Sequence, residues 1–274
     1  MAPSSSLTVP TVTVAGASVS KDSILKGLYI LAVFLSGFMA LWVLMIPASW
    51  RIGWDNLPFS AYHRRELEAH FERETANGSL GIVPRSLVFK YEGHADIQVC
   101  HTLASVLWSG IIPFQFHKGF RRQYPICHRW MGRVFVIISF IMMWGVALTI
   151  QRGLTFVQYD FGDIVSPSHK MRDLLGLGAA STWFLFTAGK AWWAARCRRF
   201  IEHQAWVIRH VGAGLWVALQ RLFVNAMGPA TTRAEQCENF SNSASLGMIV
   251  AVVLSELAVS LANQSQGKKT AKIN

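Results

Sequence analysis

The sequence predicts an all-α polytopic membrane protein, a six-transmembrane helix bundle with a four-helix core. Three observations predict it. Of 274 residues, 52% are hydrophobic and only 15% charged, which is too apolar for a soluble domain of ordinary charge content. Apolar stretches recur at roughly 20 residues, the length a helix needs to cross a bilayer core. Basic residues fall in short clusters beside those stretches, as membrane topology demands. Nothing alternates like a barrel strand, so helices that satisfy their own backbone are the remaining solution.

The net charge of +11 is explained by those flanking clusters, and no nucleic-acid partner is expected. Cys100, Cys127, Cys197 and Cys237 form neither a CxxC pair nor a Cys/His spacing typical of zinc. They predict no metal cluster and no disulfide framework.

Taken in order, residues 1–24 read as a disordered tail, rich in Ser, Thr, Val and Ala without the basic start and apolar core of a cleaved signal. A single transmembrane domain follows over 25–264. Its spans are expected at 25–47, 97–115, 131–150, 173–194, 205–227 and 245–263, and 265–274 forms a C-terminal tail. The loop 49–94 is longer than a connector needs. Its run from His63 to Thr75 spaces Glu66, Glu68, Glu72, Arg65 and Arg73 as a solvated or interfacial helix does, and it is expected to lie as a lid over the outer ends of the bundle.

Lys21 and Lys26, the run Lys118 to Arg129, Lys190 to Arg199, and Lys268 to Lys272 fall on one face. That face is assigned to the cytoplasm, with both termini on it, because the basic residues of the other face are spread through longer loops and mixed with acids. The Asn-x-Ser sequons at Asn77 and Asn239 then lie outside, where glycosylation is chemically available.

Four histidines open alternate ends of the central spans: His101 and His169 on the outer side, His128 and His203 on the cytoplasmic side. Two imidazoles from facing helices at each level suit b-type haem, which needs axial nitrogens, a flat apolar slot and cations near its propionates. Gly132, Gly176, Gly178, Gly212 and Gly214 would let a macrocycle approach a helix. Trp130, Trp183, Trp206 and Phe184 would wall the slot, and Arg129, Arg133, Arg209 and Arg221 would face the propionates. Each feature also has an ordinary reading, since histidines at membrane ends cap helices or meet headgroups, and small residues serve close helix packing.

Register leaves alternatives. His94 precedes His101 by seven residues and His210 follows His203 by seven, so each pair shares a helical face, and His210 replaces His203 if the ligand lies deeper. Arg209, Arg221 and Glu256 lie inside apolar stretches, where an ionisable group takes a partner. Arg221 with Glu256 is one such pair.

Ligand histidines on the four central spans, paired second with fourth and third with fifth, resemble the plan of the cytochrome b561 family. His128-Arg129-Trp130-Met131-Gly132 is similar to the His-Arg-x-x-Gly segment opening one of its core helices. More closely, residues 90 to 230 resemble an uncharacterised family of multi-pass membrane proteins, the domain of unknown function 2306. That likeness runs through His101, His128-Arg129 with Gly132, and His203-Gln204-Ala205-Trp206-Val207-Ile208-Arg209, and implies no established activity. The b561 resemblance implies two b haems, an outer one on His101 and His169 and an inner one on His128 and His203. It further implies a small-molecule electron donor at the cytoplasmic face and an acceptor outside.

Three functions therefore compete: a haem-b oxidoreductase moving electrons across the membrane; a haem-free membrane enzyme or accessory protein for a lipid-soluble metabolite; and a transporter or scaffold. In the second, His128, His203 and Arg209 would supply acid/base and anchoring groups. The third lacks discontinuous helices and an inverted repeat in the sequence. Without a P-loop or a strand-preceded GxGxxG, nucleotide chemistry is not expected.

Overall fold

The computed structural model describes residues 20–44 and 58–270, with side chains left aside at 58–61, 63 and 265–270. Among the described residues the chain is a succession of helices. Most of the tail predicted over 1–24 lies outside them, but its last residues are already helical, because Ser20 accepts the Ser23 N–H (3.2 Å) and caps α1, Lys21–Val43.

The predicted lid contains α2, Pro58–Ala76, and α3, Arg85–Phe89. It is tied down at the edge: the Leu80 N–H donates to the Ala230 carbonyl (2.9 Å), and Gln236 reaches the Leu80 carbonyl (2.9 Å). The second span starts as α4, Ala95–Ile97, widens into a π-helical turn, Gln98–Leu103, and runs on as α5, Ala104–Phe116. A short α6, Lys118–Gln123, is capped by His117, whose Nδ1 accepts the Phe120 N–H (3.0 Å).

Pro125 occupies the first turn of α7, Pro125–Gln151, where its missing N–H costs nothing. Gly153, at φ +67°, turns the chain into α8, Phe156–Phe161. Ser166 and Pro167 start α9, Pro167–Arg196, the Ser166 hydroxyl accepting the His169 N–H (3.2 Å). Then come α10, Phe200–Met227, and α11, Arg233–Thr270. The helix thus continues past 265, where a tail was expected.

Five of these helices are long and apolar enough to cross a membrane, where six were expected: α1, α4 through α5, α7 with α8, α10 and α11. The stretch that falls short is α9. Its opening Pro-Ser-His-Lys-Met-Arg-Asp and its Lys190 and Arg196 dilute an otherwise apolar helix. It nevertheless packs against both α7 and α10. By length and composition, the chain is an all-α multi-pass membrane protein.

The core lies where α1, α5, α7, α9 and α10 meet, around Leu35, Met39, Trp108, Ile112, Phe135, Met142, Phe184 and Leu215. Close approach is set by small residues. A side chain at Gly214 would strike the Trp108 ring at 2.3 Å, and one at Gly212 would strike Ser255 of α11 at 2.8 Å.

Candidate functional site

The bundle has two ends that carry histidines and a sealed middle between them. At the first end, His101 sits in the π-helical turn. Gly145 of α7 accepts the close approach of that turn, since a Cβ there would lie 2.6 Å from His101 Cβ and 2.7 Å from its backbone nitrogen. π-turns favour functional positions because the extra residue re-aims a side chain. His101 lines a cavity of about 150 Å³ with Thr102, Ser105, Trp108 and Ser109 from the same span, Met39 and Trp42 from α1, Arg221 from α10, and Lys90 and Tyr91 just after α3.

Several polar atoms here are buried without a hydrogen-bonding partner: His101 Nδ1, Thr102 Oγ1, and Arg221 Nε and Nη1. The Arg221 guanidinium lies over the rings of Trp42 (5.5 Å) and Phe240 (5.0 Å). Lys90, only 8% exposed, stands 5.0 Å from the Tyr91 ring centre. Behind them Asp160 accepts a hydrogen bond from the Ser86 hydroxyl, and its second oxygen is buried and unpartnered. Lys90, Arg233 and Arg221 lie within electrostatic range of it. Arg233 forms a bidentate pair with Asp163 (2.6 and 2.8 Å), which holds that loop carboxyl below the usual carboxylate range.

In the middle, His210 is 1% exposed. Its Nε2 meets Ser139 Oγ at 2.9 Å and accepts from Trp108 Nε1 at 3.4 Å, while Nδ1 lies 3.1 Å from Thr187 Oγ1 and 3.2 Å from the Phe184 carbonyl. Its ring packs edge-on to Trp108 and Phe135 and 4.3 Å from Phe184. Every polar atom of that imidazole is answered by protein, which makes it the structural knot joining α5, α7, α9 and α10.

At the second end, His203 Nδ1 donates to the Ala191 carbonyl (2.8 Å). That bond fixes the tautomer and leaves Nε2 as a free acceptor, the arrangement typical of a ligand imidazole. His128, one turn into α7, has a buried, unpartnered Nδ1 and lies within electrostatic range of His203 and Arg121. The surroundings are open: Arg121, Arg122, Arg129 and Trp130 are exposed.

Compared with family models, curated proteins and solved structures, the chain matches none.

The remaining predicted positions separate. His169 stands half-buried at the start of α9, outside the cavity lining, with Asp173 one turn on. His94 accepts from Arg152 (3.0 Å), which also pairs with Asp96. Arg129 turns back to the Pro125 carbonyl (3.3 Å) and Arg133 stacks on Trp130 (4.5 Å). Glu256 pairs with Arg209 (2.6 and 2.8 Å), not with Arg221. The correction has a simple cause: Arg209 and Glu256 meet on the outer side of the α10 and α11 contact, while Arg221 lies three turns along and turns inward. Asn77 is exposed just past α2, whereas Asn239 is half-buried inside α11.

The haem implied by the b561 resemblance can be tested against these residues. The space between the two ends is filled by Trp108, Phe135, Phe184 and His210. The cavity at His101, about 150 Å³, holds a guest the size of benzene and is far too small for a porphyrin. The outer pair His101 and His169 does not fit a porphyrin, whereas His128 and His203 offer two imidazoles of suitable donor character. Among the described residues no cluster of three or more His, Cys, Asp or Glu forms a metal site.

What sequence reasoning missed is Lys90, Asp160, the π-turn and Gly145. A lysine in a loop and an aspartate after a span carry no local signal. A glycine facing a histidine from another helix becomes visible only once the two helices pack.

Proposed function

We propose that the protein is a haem-free membrane protein, an enzyme or accessory protein, that takes a lipid-soluble metabolite into the cavity beneath α3. In this reading α9 is the sixth span. Its 30 residues reach about 45 Å at 1.5 Å per residue, more than a ~30 Å bilayer core requires. In the same reading both termini are cytoplasmic and the cavity lies on the outer side, which the distribution of the basic clusters supports. The histidine motifs quoted above support a resemblance to the domain of unknown function 2306.

One observation carries the reading. An imidazole nitrogen, a hydroxyl and two guanidinium nitrogens are buried in one cavity without partners, and proteins rarely leave such groups unanswered unless something else answers them. Apolar walls from Met39, Trp42 and Leu215 suit the body of a guest arriving from lipid. The test is mass spectrometry of a solvent extract of the purified protein beside that of Thr102→Phe, which fills the cavity. A small molecule in the wild type that falls at least tenfold in a variant of unchanged melting temperature supports the reading. Identical extracts overturn it.

A second reading, a b561-like electron carrier, is favoured by the His128 and His203 pair and its free Nε2. An absorption spectrum of protein from haem-sufficient cells decides it. A Soret band lost in His128→Ala supports a haem at that end, and a colourless folded preparation removes it.

A further inference from the structure

We propose that the cavity beneath α3 is a receptor for a monocarboxylate with a compact apolar body, its carboxylate held by Arg221 and Lys90. The inference rests on the cavity reading above and adds the charge and size of the guest.

The charge follows from the lining. Arg221 and Lys90 both line the cavity and, among the described residues, no carboxylate does. Asp160, behind the lining, spends one of its oxygens on Ser86 and buries the other. Two cations in the lining without a carboxylate beside them sit in a setting of low dielectric, where an uncompensated charge is costly. A monoanion answers these cations, and a dianion such as phosphate costs more to desolvate.

The shape follows from the stacking. With Trp42 and Phe240 on the guanidinium, its remaining hydrogen-bonding capacity lies in its plane, where Nε and Nη1 have no acceptor. A carboxylate oxygen is the acceptor that this geometry suits best. His101 and Thr102 line the same cavity, and their unpartnered Nδ1 and Oγ1 suit a further polar atom of the guest. The volume of about 150 Å³ takes a body the size of benzene.

Benzoate, benzyl alcohol, inorganic phosphate and sodium chloride are therefore the probes, added to full-length protein in an uncharged detergent and read by calorimetric titration and thermal melting. Benzoate is expected to bind and raise the melting temperature, at least tenfold more tightly than benzyl alcohol. Arg221→Gln and Lys90→Gln should each weaken benzoate at least tenfold and leave benzyl alcohol unchanged. Lys90 lies outside the spans, so its variant keeps the test open if Arg221→Gln fails to fold. Equal binding of benzoate and benzyl alcohol, benzoate binding that survives both substitutions, or an equal effect from phosphate or chloride overturns the carboxylate assignment. Benzyl alcohol binding that is lost in Thr102→Phe leaves the cavity reading standing when benzoate fails. Failure of both organic probes removes the two together.

Discussion

The two histidine-bearing ends of the bundle begin alike and finish differently. At each, an imidazole stands near the start of a span: His101 at one, His128 and His203 at the other. The first end is closed by α3 and the segment carrying Lys90, and it gathers unpartnered atoms of His101, Thr102 and Arg221 around one cavity, where the second end buries only His128 Nδ1 among its histidine nitrogens without a partner. The second is ringed by exposed Arg121, Arg122, Arg129 and Trp130, and its best-fixed imidazole is already engaged by a backbone carbonyl. Position along a span therefore does not decide whether a histidine meets solvent or a cavity. Whatever covers the helix end decides it.

The largest effect expected from this contrast is in packing. Trp108 is 2% exposed, between the cavity and the His210 knot, whereas Trp130 at the open end is 59% exposed. Trp108→Ala should cost about 3–5 kcal/mol and Trp130→Ala less than about 0.5 kcal/mol, read as thermal or denaturant midpoints in detergent. Equal costs would erase the distinction between a closed and an open end.

A glycine pair sharpens it further. Gly145→Val drives a side chain into the His101 turn, at an expected cost of about 1–3 kcal/mol. The same change at Gly132, whose nearest neighbour is Gln115 Oε1 at 3.7 Å, should be mild. If Gly145→Val melts like the wild type, the contact between the π-turn and α7 is not as close as described.

Chemical access ranks next. Acylation of histidines, mapped by peptide mass spectrometry, should modify His128 at least tenfold faster than His210, which reacts only on unfolding. Comparable rates would mean that the aromatic knot opens in the folded protein.

The smallest effect concerns Arg209 and Glu256, whose side chains are 24% and 48% exposed. A double-mutant cycle with Arg209→Gln and Glu256→Gln should give a coupling of up to about 1 kcal/mol, larger in bilayer than in detergent. A coupling of zero in both would assign each charge to its surroundings rather than to its partner.

Much of the helical layout was legible in the chain. Span positions come from runs of apolar residues, whereas the helices start earlier than the spans expected from 25, 131 and 173, at the local caps Ser20, Pro125 and Ser166 with Pro167. Expected as a span at 173–194, α9 falls short because its polar first turns and Lys190 dilute its apolar character, although it packs within the bundle. The candidate site was only half legible. His101 and Arg221 stand out as ionisable groups within or beside apolar runs, but Lys90 and Asp160 resemble any loop charge.

By itself, the sequence determined the class of the protein, the rhythm of its spans and the set of ionisable groups carried into them, because hydropathy and capping act over a few residues. Only the tertiary structure decided which of those groups meet. It gave Glu256 to Arg209 rather than Arg221, sealed His210 among aromatic rings, and brought Lys90, His101 and Arg221 around one cavity. Those pairings depend on the rotation and approach of whole helices, which glycines such as Gly145 and Gly214 permit and which no short stretch of chain encodes.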